Sequence, residues 1–191
     1  MTTKLYLTRH GETDWNKEGR WQGHTDIALN ETGRAQAAAL AARLSALQIG
    51  HIVASDLARA RQTAEIVAQH LGIATVHVDH RLRERSFGVF EGLTREEVAA
   101  RYPTEWSDYQ EDKRITPPGA EPHELVIARV HEAVLHVLRT ASATALVVTH
   151  GGSLRVLLSV LSGVAIAPVP NTAVFEVQMN GETFGGMRLL E

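Results

Sequence analysis

Apolar residues recur along this chain in two rhythms. Short unbroken runs, at Lys4–Thr8, Ile52–Ala54, Thr75–Val78 and around Leu146, end at Arg, Ser, Asp or His and read as buried β-strands. Between them, apolar positions return every three or four residues. Leu40, Leu44 and Leu47 mark a helix expected over Glu31–Leu47, capped by Asn30 and ended by Gly50. Ala60, Ala64, Val67, Ala68 and Leu71 mark a second over Arg59–Leu71, with Gly72 as its C′ residue. The box Thr94-Arg-Glu-Glu97 starts a third that runs to Tyr102. Further helices are expected over Glu121–Ala141 and Gly152–Leu161. Thr172–Met179 and Phe184–Leu190 read as a closing hairpin around Asn180-Gly181.

Two stretches break both rhythms. Arg81–Gly92 is charged, aromatic and glycine-bearing, and reads as irregular. Tyr102–Pro122 carries four prolines with Trp106 and Tyr109, too aromatic for a linker. An insert of about 87–122 is therefore expected as a lid over a site. The element order is β-α-β-α-β, the insert, then α-β-α-β-β. That order predicts one α/β domain over 1–191: a mainly parallel sheet with helices on both faces and an antiparallel strand at its edge.

Bulk properties exclude several functions. The 19 basic and 22 acidic residues give a net charge of −3, so no basic excess points to nucleic acid. Without cysteine there is no disulfide, thiolate zinc site or cysteine nucleophile. No run approaches the ~18 apolar residues of a membrane span, and no signal-peptide succession opens the chain. A soluble, cytoplasmic protein is expected. His131 and His136 are five apart, off one helical face, and no H-E-x-x-H pattern occurs, so no metal or other cofactor is expected.

The chemistry concentrates at strand ends. The first strand runs into Arg9 and His10, the fourth into His150, and the second leads to Arg59. Parallel neighbours would bring these groups together beyond the carboxyl edge of the sheet. Arg9 and Arg59 each offer a planar fork of donors suited to phosphate, and Asn16 adds a neutral one. Gln22, Gly23 and Gly151 complete the candidate phosphate-binding set, with backbone N–H groups near Gly11. His10 is the candidate nucleophile. The arginines favour its neutral form, and its second ring nitrogen needs a fixed acceptor such as a backbone carbonyl. His150 is expected to donate to the non-bridging oxygens. Glu84 is the candidate acid for the leaving group and base for water, with Glu91 as a competitor. An ion pair of Glu84 with Arg83 or Arg85 is the bland alternative. His24, His51, His70, His77, His80, His123, His131 and His136 are expected to be surface or structural.

Thr8-Arg-His-Gly-Glu-Thr13 with Asn16, then Ser55-Asp-Leu-Ala-Arg-Ala-Arg-Gln-Thr63, then Glu84 with Gly88 and Phe90-Glu-Gly92, then Thr149-His-Gly-Gly152, stand in that order. With them the chain resembles the histidine phosphatase superfamily, which shares its fold with cofactor-dependent phosphoglycerate mutase. The resemblance runs from Lys4 to about Leu161. It implies a three-layer α/β/α sandwich, metal-independent chemistry, a phosphohistidine at His10, a phosphate-binding Arg59 and Glu84 as proton donor. Asn30 stands where the family often has threonine, and Phe90 where tryptophan is common. The expected function is hydrolysis of small organic phosphomonoesters, with phosphoglycerate mutase as the alternative. Mutases of the family tend to be longer, with a larger insert and a C-terminal tail. The short insert, more aromatic than basic, and the end at Glu191 favour hydrolysis, while Lys113 and Arg114 are candidates to grip a substrate carboxylate. A non-catalytic phosphate binder is expected to lack one of His10, Glu84 or His150, and none is missing. The expected partner is a small phosphate ester, with neither nucleic acid nor membrane; the edge of the terminal hairpin suggests a homodimer.

Overall fold

A computed structural model describes residues 2–190. Its sheet has six strands: β1 (Thr2–Arg9), β2 (His51–Ala54), β3 (Val76–Val78), β4 (Ala145–Thr149), β5 (Val174–Asn180) and β6 (Thr183–Leu190), in the order β3-β2-β4-β1-β5-β6. The pairs β3–β2, β2–β4 and β4–β1 are parallel, whereas β5 is antiparallel to β1 and β6 to β5. Gly181, with φ +63°, opens the two-residue loop between β5 and β6.

Strand alternation builds the three layers. Leu5, Leu7, Val53 and Val147 pack with Val130, Val134, Leu154 and Leu157 of α6 (His123–Thr140) and α7 (Gly151–Ser162). Tyr6, Ile52, Leu146 and Val148 point the other way, onto α2 (Glu31–Leu44) and α3 (Ala58–Leu71). Each fully buried Leu, Ile or Val on these faces contributes about 1.5–3 kcal/mol over leaving it exposed. The sandwich follows because both faces of the central strands are apolar, so each needs a helical cover.

One helix end is reached differently from the sequence reading. The helix expected to run to Leu47 tightens after Leu44 into a 3₁₀ turn, Ser45–Leu47, and stops at left-handed Gln48, φ 50°. Gly50 does not stop it. It lies where an added Cβ would stand 2.9 Å from the Ala143 side chain, and its N–H donates to Thr144 O at 3.0 Å.

The second stretch read as irregular contains a helix, α5 (Pro103–Glu111), directly after α4 (Arg95–Arg101). Pro103 sits at N1, where its missing N–H costs nothing and its fixed φ suits the first turn. Trp106 and Tyr109, three apart on α5, share a small aromatic core with Phe90 and Val98. Trp21, on the loop that includes α1 (Asp14–Lys17), joins them at 4.6 Å from Phe87 and 5.7 Å from Tyr109. The proline content hid this helix because its drive is tertiary aromatic packing rather than a local stripe. Arg85, buried, ties the segment down by donating to Lys113 O, Ile115 O and Glu121 O. Among the described residues no helix is long and apolar enough to cross a membrane.

Candidate active site

The chain leaves β1 toward β2 on one side and leaves β4 toward β5 on the other, although β1 and β4 are neighbours. Divergence of this kind opens a crevice over the carboxyl ends of the two strands. Arg9 pairs with Thr149 at the top of the ladder, so His10 and His150 each follow one residue later. The His10 N–H still donates to Thr149 O at 3.0 Å, and the two rings lie 5.1 Å apart, edge to face.

Both histidines are buried, and their partners fix their tautomers. His10 Nδ1 lies 2.6 Å from Gly11 O. A carbonyl only accepts, so Nδ1 carries the proton and Nε2 is left with its lone pair. His150 Nδ1 lies 3.2 Å from Arg59 Nε, which only donates, so its proton sits on Nε2 and goes to Ser55 Oγ at 2.8 Å. Both rings are held well below the usual histidine pKa. Burial is the main cause; Arg59 and Arg9 add to it at His10, and Arg59, His10, Arg129 and Arg9 at His150.

Each ring stays neutral in the fold but takes a proton in the unfolded chain below about pH 6.5. The unfolded state then binds more protons, so stability is present at neutral pH and falls with acid, by up to about 2.7 kcal/mol per pH unit for the pair. Denaturant titrations between about pH 7 and pH 5.5 should show the slope. His150→Gln should reduce it, and a flat profile would refute it.

Arg59 is 1% exposed, and burial pushes its pKa down to about 10, still well above neutrality. Its guanidinium donates to Gly23 O, Thr25 O and His150 Nδ1. Arg9 donates through Nη1 to Val169 O at 2.7 Å, while its buried Nε has no partner among the described residues. A Cβ on Gly151 would stand 3.1 Å from that Nε, so glycine lets the guanidinium lie against the start of α7. Asn16 Oδ1 accepts from Thr13 N–H and Gln22 Oε1 from Thr13 Oγ1, which leaves each amide its NH₂ group.

Glu84 is held by α7. Its carboxylate accepts from the N–H groups of Gly152 at 2.8 Å and Ser153 at 2.9 Å, and from its neighbour Arg85 N–H at 2.9 Å. A Cβ on Gly152 would stand 2.6 Å from Glu84 Oε1, so the second glycine of the pair is also required. Neither flanking arginine pairs with Glu84: Arg83 binds Asp56, and Arg85 binds carbonyls. The competing acid, Glu91, lies outside the pocket wall and accepts from His24, Thr25, Ser86 and Phe87. Burial works to raise its pKa, but these hydrogen bonds outweigh it and leave the carboxyl low.

These groups line a cavity of about 550 Å³. His10, Arg9, Asn16, Gln22, Gly23, Arg59, Glu84 and Gly151 all border it, whereas His150 does not line it and has both nitrogens engaged, by Arg59 and Ser55. Direct donation from His150 to a ligand would first require breaking its bond to Ser55. Lys113 lines the cavity, but Arg114 is exposed and paired with Asp112. His123, read as surface or structural, also borders the cavity, because α6 starts there.

Arg129 was not legible in the sequence. From α6 it donates to Arg81 O, Arg83 O and Glu84 O while paired with Glu121 at 2.7 Å, so it carries the Glu84 loop. Asn171 Nδ2 likewise donates to His10 O at 2.9 Å. Neither lies in a motif, and each finds its partner only through the fold.

A family model, described as histidine phosphatase superfamily (branch 1), matches residues 5–188. Over 166 residues the chain is 40% identical to a Salmonella choleraesuis protein named "Probable phosphoglycerate mutase GpmB", covering 84% of this chain and 75% of that one. Two solved structures share the fold across nearly their whole length. A mycobacterial glucosyl-3-phosphoglycerate phosphatase complexed with VO3 has a TM-score of 0.85 at 31% identity, covering 98% of this chain and 97% of its own. An α-ribazole phosphatase from Shigella flexneri has a TM-score of 0.87 at 25% identity, covering 98% and 96%. The match over residues 5–188, joined to paired strand-end histidines between two arginines, makes this chain a member of the histidine phosphatase superfamily.

Proposed function

We propose that this protein hydrolyses small organic phosphomonoesters through a phosphohistidine on His10 Nε2. One observation carries the reading: a buried neutral imidazole, its proton tied to Gly11 O, presents a free lone pair between two guanidinium groups. In the first step Nε2 attacks phosphorus, the ester P–O bond breaks, and Glu84 gives its proton to the leaving alkoxide. In the second, Glu84 takes a proton from water, the resulting hydroxide attacks phosphorus, and the P–N bond breaks. Arg9 and Arg59 neutralise the phosphoryl oxygens, and Asn16 and Gln22 help orient them. His150 acts as a positioning residue, holding the Arg59 fork through Nδ1. The segment 87–122 serves as the lid of a single domain.

Phosphoglycerate mutase remains the second reading, on the strength of the relatives with that name at 40% identity. Hydrolysis is favoured by structures of phosphatases that match 96% or more of both chains, against 75% of the mutase relative. Incubation with phosphoglycerate separates the two: released phosphate supports hydrolysis, and isomer exchange without release supports the mutase.

The role of Glu84 has its own test. Glu84→Gln should slow alkyl phosphates by about a hundredfold or more, and aryl phosphates with good leaving groups far less. Equal slowing across a leaving-group series would remove Glu84 as the acid.

A further inference from the structure

We propose that Arg129, with Glu121 as its counter-charge, is a positioning residue for the proton transfer made by Glu84; this rests on the reading of Glu84 as the acid.

Glu84 needs outside support because no regular element carries it. It lies between two 3₁₀ turns, His80–Leu82 and Gly88–Phe90, and residues 83–86 belong to neither helix nor strand. No ladder or helix therefore orients its main chain, and its carbonyl must find a donor elsewhere. The donor comes from α6. Val126 and Val130, which flank Arg129 on that helix, are each 1% exposed in the core, so the base of the arginine is rigidly seated.

All five N–H groups of the Arg129 guanidinium are used. Nη1 donates to Arg81 O at 2.7 Å and to Arg83 O at 2.6 Å, and Nη2 to Glu84 O at 2.9 Å. Nε and Nη2 close a two-pronged pair with the Glu121 carboxylate, each at 2.7 Å. One planar group thus gathers three carbonyls of the turn that ends at Glu84. His24 Nε2 also donates to Glu84 O, at 2.9 Å. The main chain of Glu84 is held from two sides while α7 holds its carboxylate.

Glu121 fastens the same fork to the end of the insert. Its N–H donates to Ser86 O at 3.0 Å, and its carbonyl accepts from Arg85 Nε at 2.8 Å. Both residues that follow Glu84 are therefore tied to one ion pair, whose side chains are only 18% and 17% exposed. Neither Arg129 nor Glu121 is among the residues that border the cavity, so their effect on turnover passes through the groups they hold. A simple loop staple would affect every substrate alike. An acid displaced by about 1 Å loses about a hundredfold, and only where the leaving group needs its proton.

Leaving groups tell the two apart. In R129K the ammonium keeps the charge but offers three donors from one point instead of five in a plane. Its kcat/KM for an alkyl phosphate should fall about thirtyfold, and for nitrophenyl phosphate less than about threefold. Vanadate affinity should stay within about twofold, because the phosphoryl seat keeps both guanidinium groups. R129K/E84Q should be no slower on the alkyl ester than E84Q alone, since a misplaced acid and a missing one are the same loss. E121Q should show the same contrast at smaller size, and it decides the matter if thermal unfolding shows that R129K does not fold. Equal slowing of both esters, additive losses in R129K/E84Q, a vanadate affinity that falls with the rate, or parental rates in whichever variant folds overturns the positioning role. E84Q alone is scored beside them. If it slows both esters equally, the acid assignment fails and this role with it; if it spares the aryl ester while R129K and E121Q do not, the acid assignment stands and only the positioning role is lost.

Discussion

Replacing His10 with alanine should reduce phosphomonoester turnover by about four orders of magnitude or more, as loss of a covalent nucleophile does elsewhere. Neighbouring groups cannot substitute for it. His150 has both nitrogens engaged by Arg59 and Ser55, and Glu84 is bound by the start of α7. The chain contains no cysteine. The fold should survive, because the imidazole makes one side-chain hydrogen bond, to Gly11 O, and losing it costs about 1–3 kcal/mol. Steady-state rates and a denaturant midpoint on the same sample separate the two effects. Trapping with labelled substrate should give an acid-labile, base-stable phosphoryl adduct on the parent chain and none on the variant. Residual activity within a hundredfold of the parent would remove His10 as the nucleophile.

Arg59→Ala is expected to damage both stability and function. Arg59 heads the fully buried side chains by volume, and its guanidinium holds Gly23 O, Thr25 O and the His150 ring. Burying that charge is costly, which is why its pKa falls to about 10. Two carbonyls and an imidazole offset the cost, so the cation persists at neutral pH. Truncation leaves those acceptors facing a cavity. By analogy with broken buried charge pairs, the loss should be about 3–5 kcal/mol. The phosphoryl seat also loses one of its two guanidinium groups, which should lower kcat/KM by about a thousandfold. Arg59→Lys should keep the charge yet not restore the rate, since an ammonium cannot reach three acceptors in one plane. Vanadate affinity measured alongside thermal unfolding checks both halves. Near-parental affinity in a stable Arg59→Ala chain would show that the anion is seated elsewhere.

The two variants also differ in what they say about the histidine pair. His10→Ala removes the attacking atom and leaves Arg59 in place. Arg59→Ala leaves His10 present but takes away one of the charges that holds it neutral. The acid limb of any residual activity should therefore move toward higher pH in Arg59→Ala, provided the ring stays buried.

Much of this was written locally in the chain. Each central strand announces itself by an unbroken apolar run, Thr94 by a cap box inside four residues, and Gly72 by its place after an apolar stripe. His10, Arg9, Arg59, Glu84 and Gly151 sit within a few residues of a strand or helix end, so element order alone brings them to one edge of the sheet. Tertiary structure decided which group faces which. The Arg59–His150 bond spans 91 positions and the Glu84–Gly152 bond 68. α5 formed against a proline-rich composition because Trp106 and Tyr109 found Phe90 and Trp21. Gly50, which resembled a helix stop, proved to mark a close contact with Ala143. Propensities and caps act over a few bonds and can be read in order along a sequence. Partner choice among buried charges depends on distance through space, which exists only once the layers have closed.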